Sequence, residues 1–148
     1  MRGFPGIVAV ALLLAGCGKP AELGAKHAWV RLPAVAGRPG AAYFTLQGGA
    51  QADTLLAVST PAALRAELHE TMNTGGVKSM RPTRDVALPA KGTLAFAPGG
   101  RHVMLFDLGP NVKPGTRIPL SLAFASGRKL ELQAEVIGAG DPPPLPKP

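Results

Sequence analysis

Apolar residues along this chain fall in short runs, alternate with polar ones, and are interrupted by turn residues every few positions. The cleanest alternation is Lys129–Ile137. Leu130, Leu132, Ala134 and Val136 share one face and Glu131, Gln133 and Glu135 the other, which predicts a half-buried strand. Comparable runs predict strands over His27–Leu32, Ala41–Leu46, Thr54–Ser59, Ala63–His69, Val77–Arg81, Thr93–Ala97, His102–Leu108 and Ile118–Ala125. Turn chemistry separates them at Gly37–Gly40, Gly48-Gly49, Asn73–Gly76, Pro98–Gly100, Gly109–Gly115 and Ser126-Gly127. Ala62–Leu68 also suits a helical turn. About nine short strands at this spacing predict an all-β fold, a Greek-key sandwich or barrel. Trp29, Phe44, Phe96 and Phe106 are its expected core aromatics.

The two ends follow different patterns. Met1-Arg2 is a minimal positive start, Gly3 to Leu14 is a short apolar run, and Leu14-Ala15-Gly16-Cys17 closes it with small residues. The run is too short for a spanning helix, so residues 1–16 read as a cleaved secretory signal. Leu-Ala-Gly-Cys resembles the bacterial lipobox, which implies a diacylated Cys17 at the start of the mature protein. Acylation also accounts for a single cysteine in an exported chain, and more than one acyl chain holds a protein stably at a membrane. Residues 17–25 are then a lipidated N-terminus and tether, and residues 26–137 a single β-domain. Gly18 stands where an aspartate would resemble the inner-membrane retention signal, so the expected location is the periplasmic space, anchored at the outer membrane. The end, residues 138–148, is Pro-rich and expected to be an extended, disordered tail.

Composition changes this picture little. At 148 residues there is room for one domain and an export signal. The high Gly and Pro content, 19 and 16 residues, fits a turn-rich β-protein. The formal charge of +7 raises the question of nucleic acid, but the basic residues are scattered, aromatics are few, and export leads away from it. The charge fits a solvated basic surface or a docking face for an acidic partner.

The chemistry lies in a cluster. Apart from Met1, the methionines are Met72, Met80 and Met104, interleaved with His69 and His102. Thioether sulfur is soft and imidazole borderline, so such a set suits Cu(I) better than Zn, Mg or Ca. Residues two apart on a strand share a face, which puts His102 and Met104 together. A hairpin turning at Asn73–Gly76 can bring Met80 back towards His69. Thioethers neither form disulfides in an oxidising compartment nor carry charge, so they release copper to a thiolate more readily than cysteines would. Neutral imidazole is the ligand form, so binding should weaken as pH drops below the histidine reference of ~6.5.

The spacing His69-x10-Met80-x21-His102-x-Met104 resembles the periplasmic copper-A chaperone family of bacteria. Leu68-His69-Glu70, Met80-Arg81-Pro82 and Pro98-Gly99-Gly100-Arg101-His102-Val103-Met104-Leu105 agree with it. The resemblance covers residues 26–137. It implies a cupredoxin-like β-fold binding Cu(I) through His69, Met80, His102 and Met104, with Met72 as a further candidate ligand. It also implies delivery to the dinuclear copper centre of cytochrome c oxidase, through the copper-bearing subunit or a thiol-bearing copper chaperone. The tail lacks His and Met, so no second, Cu(II) site is expected there. Glu70 is a candidate acceptor behind an imidazole, His27 is expected not to be a ligand, and Arg81, Arg84 and Arg101 flank the ligands as a candidate docking patch.

Rival functions fare worse. Blue-copper electron transfer needs a thiolate, and the sole cysteine lies at the signal junction. No nucleophile–base–orienter set suggests a hydrolase, and no Cys-x-x-Cys suggests a thiol reductase, so no enzyme is expected. The alternative is a copper-buffering or resistance lipoprotein without a dedicated acceptor.

Overall fold

The computed structural model describes Met1 and residues 18–146; the signal segment and Cys17 lie outside the described residues. Ten strands run in chain order: β1 Gly24–Arg31, β2 Gly40–Gln47, β3 Asp53–Ser59, β4 Ala63–Thr74, β5 Val77–Pro82, β6 Val86–Leu88, β7 Thr93–Phe96, β8 Arg101–Leu108, β9 Arg117–Phe124 and β10 Lys129–Ile137. They form one sheet in the order β5-β4-β8-β7-β2-β1-β10-β9-β3-β6. No helix among the described residues is long and apolar enough to cross a membrane.

The sheet's inner face makes the core. In β9 the period of two buries Ile118, Leu120, Leu122 and Phe124, and across the fold Phe44 and Phe96 stack with centroids 4.5 Å apart. Strand β2 is the organising strand. Its first half pairs with β8, from Gly40↔Leu105 to Ala42↔Val103, and its second half with β7, from Phe44↔Phe96 to Gln47↔Thr93. Strand β1 then pairs antiparallel with β2 and parallel with β10.

Several expectations need correction. The described residues form ten strands rather than about nine, the addition being β6: three residues are too few to display a period, yet Val86 and Leu88 are buried through pairing with β3. Ala62–Leu68 is not helical. Leu64 and Leu68 sit at helical spacing, but Leu64 is exposed and, from Ala63 on, the segment is strand β4, which pairs with β8. That strand continues past His69 to Thr74, and β1 starts at Gly24, inside the expected tether. The start of the tail is held too: Arg31 Nη1 donates to the carbonyls of Ala139 (3.0 Å) and Asp141 (2.7 Å), and Asp141 Oδ2 accepts from the Gly138 amide at 2.6 Å. Trp29 and Tyr43 leave the main core and form, with Ile137, a second buried cluster.

The β4–β5 connection is a tight hairpin turn. Gly75 and Gly76 have φ of 60° and 83°, as the two central positions of a type I′ turn require. The turn pins the register Thr71↔Met80 and His69↔Pro82.

Replacing Phe44 with alanine should lower stability by about 3–5 kcal/mol, the usual cost of deleting a fully packed aromatic. Urea unfolding followed by far-UV circular dichroism measures it; a loss under about 1 kcal/mol would mean that the Phe44–Phe96 stack is not central to the core.

Candidate metal centre

The sheet register builds the candidate centre. Strands β4 and β8 pair antiparallel with His69 directly opposite His102, Glu67 opposite Met104, and Arg65 opposite Phe106. Leu68, Val103 and Leu105 point into the core, so the alternation sends His69, His102 and Met104 to the outer face. On β5, Met80 faces Thr71, two residues beyond His69 on the same side. Strands β4, β5 and β8 therefore bring His69, Met80, His102 and Met104 to one face. Met72 falls on the opposite face of β4, beside Ser79 in register.

Both imidazoles are deeply placed, His69 at 9% and His102 at 3% exposure. Their ring centroids are 5.9 Å apart. His69 Nε2 lies 3.0 Å from Glu67 Oε2, and His102 Nδ1 lies 3.1 Å from the Gly100 carbonyl. The other nitrogen of each ring, His69 Nδ1 and His102 Nε2, is buried without a hydrogen-bond partner. An unsatisfied buried polar atom costs about 1–3 kcal/mol, so two on facing rings are a feature that needs an explanation. Met80, by contrast, is 61% exposed and forms the open rim. Among the described residues no three His, Cys, Asp or Glu side chains gather into a metal-sized group. The thioethers of Met80 and Met104 share the face of the two imidazoles, and together these groups are a soft set.

Around this pair the face is partly aromatic. Tyr43 lies 6.4 Å from His102 between centroids and stacks at 4.4 Å on Trp29, over which the Arg31 guanidinium sits at 5.2 Å. Burial raises the Tyr43 pKa, with Arg31 opposing. Phe106, expected in the core, is half-buried on this outer face with Arg65 4.2 Å above its ring.

Glu67 is the residue that sequence reasoning missed. Its signal was available, because Glu67 and His69 stand two apart on a strand. Glu70, the neighbour chosen instead, is on the other face and pairs with Arg101 at 3.5 Å and Arg81 at 4.0 Å. Those two arginines of the candidate docking patch are thus partly engaged within the chain. His27 sits exposed in the β1 bulge at φ 55°.

Residues 23–136 match the family described as "LpqE-like: Putative lipoprotein LpqE-like". The chain belongs to this family. A relative of the LpqE-like chain, "Putative lipoprotein Lxx21020" of Leifsonia xyli subsp. xyli, is 30% identical, with 82% of this chain and 80% of the relative covered. Among solved structures, Cu(I)-DR1885 from Deinococcus radiodurans is 31% identical with a TM-score of 0.61, covering 83% of this chain and 81% of that one. The apo form of DR1885 is 30% identical, with 93% of each chain covered and a TM-score of 0.59. The copper-bound PCuAC domain from PmoF2, at 20% identity, shares the fold with a TM-score of 0.65 over 80% of this chain and 95% of its own. The expected cupredoxin-like β-fold and the resemblance to copper-A chaperones are both borne out.

Burial sets the behaviour of His102 with acid. It pushes the pKa below the ordinary 6.5; the Gly100 hydrogen bond acts in the opposite direction, and the neighbouring His69 lowers it further. The unfolded chain therefore takes up a proton on this ring before the folded one does. The stability associated with neutral His102 is complete above pH 6.5 and shrinks as pH falls through 6.5 towards the lower folded value. Urea midpoints between pH 7.5 and 5 should fall for the wild type and fall less for His102→Gln. Equal slopes for both would remove His102 as a source of the acid sensitivity.

Proposed function

We propose that this chain is an exported Cu(I) chaperone. It binds one copper through His69, Met80, His102 and Met104 and passes it on for assembly of the dinuclear copper centre of cytochrome c oxidase. The observation that carries this reading is the pair of buried imidazoles, each with one unpartnered nitrogen, on the face that also bears Met104 and Met80. Neutral nitrogens without hydrogen-bond partners await an electron-pair acceptor, and thioethers beside them select a soft one. The family, and the Cu(I)-loaded DR1885 structure at 31% identity, support the same conclusion. The role is carriage rather than catalysis.

The exposure gradient suits transfer. His69 and His102 are held in the sheet, whereas Met80 is exposed on edge strand β5. An acceptor thiolate can approach from solvent and replace the Met80 thioether first, while the histidines still hold the ion. Low His102 basicity also keeps that ligand competent at a lower pH than an ordinary imidazole. Diacylation at Cys17 would keep the domain in the periplasmic space on the outer membrane, with the acceptor either the copper-bearing oxidase subunit or a thiol-bearing chaperone.

An anaerobic Cu(I) titration against a competing chromophoric chelator tests the ligands. One equivalent should bind, and Met80→Leu or Met104→Leu should each weaken it by at least the roughly 10–100-fold typical of losing an outer-shell partner. Affinity unchanged in both variants would exclude the thioethers. For delivery, a deletion strain should lose oxidase activity at limiting copper and regain it when copper is ample. Copper sensitivity with normal oxidase would favour buffering instead.

A further inference from the structure

The two facing histidines present different nitrogens. An ionised carboxylate only accepts hydrogen bonds, so in the 3.0 Å contact with Glu67 Oε2 it is His69 Nε2 that carries the hydrogen. Nδ1 of that ring is left with a free lone pair, buried and unpartnered. On His102 the arrangement is reversed. The Gly100 carbonyl is also purely an acceptor, so Nδ1 donates to it at 3.1 Å and Nε2 is the nitrogen left buried and free. A metal takes the ring nitrogen that lacks hydrogen, and the bond made by the other nitrogen decides which one that is.

We infer that Glu67 is the positioning residue of this centre: it holds His69 as the Nε2–H tautomer and commits it to bind Cu(I) through Nδ1, while His102 binds through Nε2. The inference rests on the chaperone reading above and adds to it the atoms that hold the ion. Glu67 is itself fixed. Arg65 Nε lies 3.1 Å from Glu67 Oε1, and the guanidinium of Arg65 stacks on Phe106 at 4.2 Å. Phe106, Arg65, Glu67 and His69 thus form a continuous brace along the outer face of β4 and β8. Glu70, although adjacent in sequence to His69, is turned to Arg101 and Arg81 and cannot substitute. A carboxylate behind a ligating imidazole both orients the ring and makes the bound nitrogen a better donor.

Long-range 1H–15N spectra of the full chain carrying Cys17→Ser test this, first without copper and then with one equivalent of Cu(I). In the copper-free wild-type site, His69 should show hydrogen on Nε2 and His102 on Nδ1. Copper should then shift His69 Nδ1 and His102 Nε2. Glu67→Ala should turn His69 into a tautomer mixture and weaken Cu(I) binding by about 10–100-fold. Glu67→Gln, whose carboxamide oxygen still accepts, should keep the Nε2–H tautomer and recover most of the affinity. The inference is overturned by an Nδ1–H tautomer at His69, by copper on His69 Nε2, by a Glu67→Ala protein altered in neither respect, or by Glu67→Gln matching Glu67→Ala. The copper-free tautomer is read independently of binding. Loss of all Cu(I) binding in the wild type would therefore sink the chaperone reading while the tautomer data still judge the role of Glu67.

Discussion

The antiparallel register between β4 and β8 is the constraint on which the outer face depends. With Leu68 opposite Val103 and His69 opposite His102, each strand sends aliphatic side chains inward and donor side chains outward at the same level. A slip of one residue in either strand would exchange that strand's two sets, exposing Leu68 or Val103 and driving its histidine into the hydrocarbon core. Burial of the inner face therefore fixes the outer one. The core residues serve the centre without touching it, because their period of two carries His69, His102 and Met104 along with them.

The same arrangement divides labour between a rigid part and an accessible one. Strands β4 and β8 are interior to the sheet and hold both histidines, whereas β5 is an edge strand whose six residues are all exposed. Lys78, Arg81 and Pro82 along β5 guard it against pairing with another chain's strand. The type I′ turn at Gly75-Gly76 still keeps Met80 in register with β4. Met80 is thus held in register and yet open to solvent.

How much of this was legible in the sequence depended on whether a feature lay along one strand or across several. His102 and Met104 share a strand face, and Asn73–Gly76 announces a hairpin, so the face shared by His69, Met80, His102 and Met104 could be assembled from spacing alone. Glu67 obeys the same period of two, yet adjacency drew attention to Glu70, whose side chain the pleat turns away. Met72 was drawn in by proximity to His69 in the chain, and an odd separation on a strand puts it on the other side. The Trp29–Tyr43–Ile137 cluster was not legible at all. It needs β1 to pair with both β2 and β10 and to bulge between Lys26 and Trp29, none of which a linear pattern reveals. Strand β6 and the held start of the tail were missed for a related reason: three residues, or a few carbonyls caught by Arg31, have no periodicity to detect.

The energetic character of the copper-free domain follows from the two unpartnered nitrogens. Each buried lone pair without a hydrogen bond costs about 1–3 kcal/mol, a sizeable share of the stability of any small domain. Protonation would charge a ring in a dehydrated place, and burial of His102 opposes it. Opening the sheet to water would sacrifice the Leu68, Val103 and Leu105 packing on its reverse. In the function proposed above, a soft, electron-accepting ion would remove the defect without either penalty. The local misfit would then be a differential between two states of one site, unfavourable without copper and satisfied with it. Carboxylate and carbonyl acceptors on the opposite ring nitrogens sharpen that differential, since they stop the imidazoles from rotating the defect away.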